Sequence, residues 1–102
     1  MASRLQLQTE LETVLGNNHV YFQPPETLQM QYPCIRYSLS TGWSTHADNK
    51  TYSFYRQYSL IHIYRDPDAT LCEAITKHFP MIRLDRHYVS DGLNHDSYTL
   101  YY

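Results

Sequence analysis

Glycine is scarce in this chain. Only Gly16, Gly42 and Gly92 occur, far apart, so no glycine-rich phosphate loop and no nucleophile elbow can be assembled. Cysteine is equally sparse. Cys34 and Cys72 are too few and too separated for a disulfide framework, and they lack the paired spacing of a zinc site. Both are expected to be reduced apolar fillers, as in a protein made and kept inside the cell. Long hydrophobic runs are missing too. The start, Met1-Ala2-Ser3-Arg4-Leu5-Gln6, carries no signal-peptide run and no membrane span is expected. Finally there is no basic surplus. A formal net charge of −2 gives no global field to hold DNA or an acidic membrane.

Tyrosine is what the chain has in excess, eleven against three phenylalanines. Tyrosine joins apolar area to a polar tip, so a surface rich in it serves well for contact. Half-exposed sheet faces also collect tyrosine. With 102 residues, 42% apolar and 18% charged, the sequence predicts one folded domain, residues 1–102, with a modest core.

The stretch from Tyr52 to Phe79 is predicted to organise that domain. Alternation over Tyr52–Tyr64 places Tyr58, Leu60, His62 and Tyr64 on one strand face and Tyr55, Ile61 and Ile63 on the other. Apolar groups on both faces predict a central strand. A helix follows, with Asp66 or Asp68 as its cap and Pro67 at its first position. Leu71, Ala74, Ile75, His78 and Phe79 form its stripe, and Pro80 stops it.

Upstream, Ser3–Leu15 reads as a helix opened by a Ser3/Gln6 capping box, lined by Leu7, Leu11, Val14 and Leu15 and ended by Gly16. Val20–Phe22 reads as a short strand cut off at Pro24-Pro25, and Cys34–Ser40 as a second strand. Downstream, Met81–Val89 is a strand with Ile82, Leu84 and Tyr88 opposed by Arg83, Asp85 and His87. A turn over Ser90–His95 leads to a last strand, Asp96–Tyr102. The fold class is therefore α+β: a mixed or antiparallel sheet of four to five strands packed by two helices, in the order α-β-β-β-α-β-β. The polar stretch Thr41–Thr51 joins two antiparallel strands as a long loop, a length that is often functional.

Few groups are placed for chemistry. His87, Asp91, His95 and Asp96 offer nitrogen and carboxylate ligands, yet their spacing matches no recurrent metal motif. Cys34 or Cys72 with a histidine would make a dyad only by chance of folding, and Asp66/Asp68 are explained by capping. No catalytic, cofactor-binding or metal-binding residue is assigned, and the chain is not expected to be an enzyme. Contact residues are expected on and beside the long loop: Trp43, His46, Asp48, Lys50 and Tyr52.

Several segments read together carry a family resemblance. They are Val20–Glu26 (Val-Tyr-Phe-Gln-Pro-Pro-Glu), Tyr32–Tyr37 (Tyr-Pro-Cys-Ile-Arg-Tyr), Ile63–Asp68 (Ile-Tyr-Arg-Asp-Pro-Asp), Phe79-Pro80-Met81 through Asp85-Arg86-His87-Tyr88, and Leu93–Asp96 (Leu-Asn-His-Asp). Over nearly its whole length the chain resembles the tail-terminator, or tail-completion, proteins encoded among the head–tail joining genes of long-tailed bacteriophages. The resemblance implies a virion protein of the neck, assembled in the host cytoplasm. It implies a ring, usually a hexamer, that caps the last ring of tail-tube protein and faces the head connector. The free subunit can remain a monomer until the tail surface orders it. DNA is then passing cargo only, with no cofactor and no membrane partner. Neighbouring genes encode proteins of similar size, so a head-completion adaptor or stopper is the alternative, as is a small non-viral protein-binding module. Under the terminator reading, Trp43→Ala should weaken assembly on tail tubes while leaving circular dichroism unchanged; unaltered tail joining would remove the loop from the mechanism.

Overall fold

A computed structural model describes residues 4–40 and 56–102. Its elements are α1 (Arg4–Leu15), β1 (Val20–Phe22), β2 (Cys34–Leu39), β3 (Gln57–Tyr64), α2 (Leu71–His78), β4 (Ile82–Ser90) and β5 (Leu93–Tyr101). They form one five-stranded mixed sheet in the order β1-β2-β3-β5-β4. β1 runs parallel to β2, and the remaining pairs are antiparallel. The α+β class, the element order and the central place of β3 agree with the sequence pattern.

Both helices pack on one face of the sheet. The shared core joins Leu7 and Leu11 of α1 and Ile75 of α2, with Phe79 just beyond it, to Val20, Ile35, Tyr37, Tyr58, Leu60, Tyr98 and Leu100. On β3 this is the even-numbered face, and cross-strand registers bring Tyr58 opposite Leu100 and Leu60 opposite Tyr98. The other face is mixed, with Ser59 between Ser38 and Thr99 but the buried Ile63 opposite Cys34. Alternation of this kind produces a two-layer domain.

α1 is docked by polar contacts as well as by leucines. Tyr37 donates its hydroxyl to Gln8 Oε1 at 2.5 Å, and Gln8 Nε2 donates to the Val20 carbonyl at 2.9 Å. The Arg4 guanidinium lies 4.6 Å from the Phe22 ring centre. Gly16, at φ +86°, ends the helix with its amide donating to Glu12 O at 2.9 Å, a left-handed position where a Cβ would be strained. The Ser3 half of the expected capping box lies outside the described residues. At the other end of the layer, Glu10 accepts from Tyr102 Oη and lies 2.8 Å from His78 Nε2, tying α1, α2 and the last residue together.

Three expectations are corrected. First, Asp66-Pro67-Asp68 does not cap α2. Asp66 Oδ1 accepts the Asp68 amide at 2.9 Å and its carbonyl accepts the Ala69 amide at 3.2 Å. This local turn competes with helix formation, so α2 begins at Leu71 behind Thr70, which makes no side-chain cap bond. Secondly, β5 starts at Leu93, earlier than expected. Asp91 (φ +54°) and Gly92 (φ +75°) form a two-residue turn between paired Ser90 and Leu93, the twist-matched hairpin connection. Thirdly, Tyr88 does not share the face of Ile82 and Leu84. A bulge between Leu84 and Arg86 shifts the register, placing His87 opposite Asp96 and Tyr88 opposite His95. One extra residue exchanges the two faces.

β3 is described from Gln57 onward; residues 52–55 lie outside the described residues, as does the loop before them. The paired strands on either side are antiparallel, as expected. The apolar stripe of α2 is narrower than its spacing implies: Ile75 and Phe79 are buried, while Ala74 and His78 are exposed.

Leu60→Ala, at a fully buried site on the middle strand, is expected to cost about 3 kcal/mol in urea unfolding. Leu5→Ala, at an exposed site on α1, should change stability by less than about 0.5 kcal/mol.

Candidate functional site

Three adjacent strands place three titratable groups in one row. On the helix-covered face, His62 of β3 lies opposite Asp96 of β5, which lies opposite His87 of β4. Asp96 is 5% exposed. Its Oδ2 accepts from Tyr64 Oη at 3.0 Å, and its Oδ1 lies 2.6 Å from His87 Nδ1. A carboxylate can only accept, so the imidazole N–H and the phenol are the donors that compensate its burial. Burial and donation to Asp96 act on Tyr64 in the same direction. Desolvation and the Asp96 charge push its hydroxyl up to about 12.

His62 is treated differently by its surroundings. It is 2% exposed and its Nδ1 has no hydrogen-bond partner. Desolvation holds its pKa down at about 4, against the upward pull of Asp96, so the ring is neutral at pH 7. It stacks on Tyr64, with ring centres 4.4 Å apart and planes 21° apart. Beside it the Tyr98 hydroxyl is also buried without a hydrogen-bond partner, next to the weakly polar Cys72 thiol, and burial raises its pKa.

The stacked pair opens onto a cavity of about 490 Å³. It is also lined by Leu15 of α1, by Leu71 and Ala74 of α2, and by Tyr32, Arg65 and Thr70. The Tyr32–Pro33 peptide is cis. The volume falls within the usual range for small-molecule sites, roughly 300–1,000 Å³, and a mostly apolar lining with a few polar groups is the usual composition.

The residues singled out in the sequence fare unequally. Trp43, His46, Asp48, Lys50 and Tyr52 lie outside the described residues. Of the four candidate ligands, only His87 and Asp96 meet. His95 stacks on Tyr88 at 4.7 Å on the opposite face, and Asp91 sits in the hairpin turn. Among the described residues no group of three or more His, Cys, Asp or Glu side chains could hold a metal ion. Both cysteines are free thiols. Cys34 is fully buried and desolvation raises its pKa to about 11, which leaves it a poor nucleophile at neutral pH. His62 was visible only as one member of an apolar strand face. Its partnership with Asp96 depends on β3 pairing with β5, which alternation along one strand does not reveal.

No helix among the described residues is long and apolar enough to cross a membrane. Compared with family models, curated proteins and solved structures, the chain matches none.

The His62 geometry carries a pH dependence. Its folded pKa lies below the ordinary value of 6.5, so between pH 6.5 and about 4 the unfolded chain binds more protons than the folded one. Stability should therefore fall as pH drops through that window, by up to about 3 kcal/mol. Urea titrations at pH 7, 5.5 and 4.5 read this directly. His62→Leu should flatten the slope over the same range, and an unchanged slope would assign it to other groups.

Proposed function

We propose that the chain is a structural protein of the neck of a long-tailed bacteriophage, a tail terminator that closes the last ring of tail-tube protein and joins it to the head connector. Its copies assemble into a ring, a hexamer, in the virion. The role is one of fitting surfaces together and needs no cofactor or catalytic step. DNA passes through without being gripped, in keeping with a net charge of −2.

One structural feature supports this reading. The sheet ends in two unlike edges that have no strand partner among the described residues. β1 is three residues long and parallel to its neighbour, whereas β4 is nine residues long and antiparallel. A head-to-tail ring requires two different patches on each subunit, and two different edges supply them. β4 also extends past the cover of the helices. Leu84 is 42% and Val89 64% exposed, apolar positions that a neighbouring subunit can bury.

Electron microscopy of particles made without the protein tests the role. Overlong or unjoined tails are expected; full heads that leak DNA would instead favour a head-side adaptor or stopper. The contact surface is tested separately with Leu84→Lys and Val89→Lys. Each site is exposed, so the monomer should stay folded while assembly on tail tubes falls at least about tenfold, the loss expected from an uncompensated charge at an apolar contact. Undiminished assembly in both variants would take β4 out of the interface.

A further inference from the structure

The sheet face turned away from the helices is distinct from the Leu84 and Val89 side of β4, and its side chains select a partner. One cross-strand row runs from Arg36 on β2 through Ile61 on β3 and Ser97 on β5 to Arg86 on β4. Both arginines are exposed, and they stand at the two ends of the row. Three strand spacings separate their backbones, roughly 14 Å. The floor between them is made of short side chains and one isoleucine, Ser59 and Ile61 beside Ser97 and Thr99. Residues 23–33 border this face on the β1 side. There Tyr21 Oη accepts the Gln31 amide at 3.2 Å, and Arg36 shares a hollow with Pro25, Glu26 and Leu28.

The ionic groups of the face do not cancel. Asp85, in the bulge, accepts from Arg83 Nε at 2.8 Å and from Thr99 Oγ1 at 2.6 Å. Glu26 lines the hollow beside Arg36, yet Arg36 has no carboxylate partner among the described residues. Arg86 lies 4.6 Å from the Tyr88 ring centre, a contact that leaves its N–H groups able to donate. Two guanidinium groups are thus left without a counter-charge, in a chain whose formal net charge is −2.

We propose that this face docks an acidic α-helix of a protein partner, laid in the trough between β2 and β4 with carboxylates from its two flanks on Arg36 and Arg86. A helix with its side chains is about 10–12 Å across, so it fits between the flanking strands. The serine and threonine floor lets its backbone come close, and the half-buried Ile61 gives it an apolar contact. Each arginine fork can hold a carboxylate by two parallel hydrogen bonds. Single-stranded nucleic acid is less well matched. Its bases need open aromatic faces, whereas the Tyr88 ring is stacked on His95 at 4.7 Å and holds the Arg86 guanidinium. The docking face does not depend on the ring assembly proposed above, since Leu84 and Val89 lie on the other side of the sheet.

The test is a chemical-shift titration of the isotopically labelled full chain at low ionic strength, with three probes. They are a capped alanine-based helix of about 18 residues with glutamates on two flanks, the same peptide with glutamines in their place, and oligothymidylate. The glutamate peptide is expected to shift the amides of Arg36, Ile61, Ser97 and Arg86 saturably and to leave those of α1 in place. It should bind about tenfold more tightly than the glutamine peptide, the discrimination available from two exposed ion pairs. Arg36→Glu and Arg86→Glu fall at exposed positions, so each should stay folded and bind the glutamate peptide about tenfold more weakly. Lys77→Glu makes the same change in net charge from an exposed position on α2 and should bind it as the unaltered chain does. Absence of saturable shifts on this face overturns the proposal. So does equal binding of the glutamine peptide, a loss in Lys77→Glu as large as in the arginine variants, or tighter binding of oligothymidylate. Self-association of the free chain that Arg36→Glu abolishes would overturn it too, by giving the face to a second copy.

Discussion

The pairing of β3 with β5 is the constraint on which everything else rests. All eight residues of β3 take partners on the last strand, from Gln57 with Tyr101 to Tyr64 with Asn94. The same pairing completes the core, because Leu60–Tyr98 and Tyr58–Leu100 are its inner cross-strand pairs. It also creates the polar row, because His62 can meet Asp96 only in this register. A slip of one residue would turn Tyr98 and Leu100 outward and leave Asp96 on the polar face. The partners are separated by roughly thirty to forty-five residues along the chain, so the entropy of closing that loop precedes the gain from contact. Sheets built on such pairs fold more slowly than local helical packings.

His62 and Asp96, the buried polar or charged residues of the described core, are partners in this register. Asp96 is satisfied by Tyr64 and His87, whereas the Nδ1 of His62 and the hydroxyl of Tyr98 are not. A phenylalanine at 98 or a leucine at 62 would pack as well and remove the unpaired groups. An unpaired buried donor or acceptor is unfavourable by about 1–3 kcal/mol, so these residues are poor choices for stability alone. Departures from the locally best residue gather where structure serves something else. That the cavity opens against the same stacked rings is why the two observations belong together.

Periodicity was enough to recover the elements, because each has a clean signal of its own. Leu7, Leu11, Val14 and Leu15 mark α1, and the even positions from Tyr58 to Tyr64 mark the inner face of β3. What it missed arises from interactions between segments or from chemistry that outweighs pattern. Asp66 has the residue type of a helix cap, but its side chain bonds two residues ahead and delays α2 to Leu71. Asp91-Gly92 compresses the hairpin turn, which gives Leu93, Asn94 and His95 to the strand. The bulge at Asp85 has no apolar signature. Its stabilisation comes from outside the pattern, with Asp85 accepting from Thr99 Oγ1 at 2.6 Å and from Arg83 Nε at 2.8 Å. Those bonds, together with the Arg83 charge, outweigh the cost of its desolvation and leave its carboxyl below the usual range. The cavity was out of reach for a related reason, since its walls come from both helices, β3 and the approach to β2.

The same bulge bears on how a neighbour meets β4. A long, flat, apolar edge would pair with any passing strand. β4 instead carries Arg83, Asp85 and Arg86, all exposed, and a break in its ladder between Leu84 and Arg86. These features oppose continuous backbone pairing along the edge. They leave the side chains of Leu84 and Val89 available on the helix-side face, beyond the part that the helices cover. Contact through that face, in the ring we propose, is specific to a surface shaped to receive both residues, whereas strand addition would accept almost any extended segment. A subunit that must stay separate until a tail surface presents itself is better served by the first kind of contact than by the second.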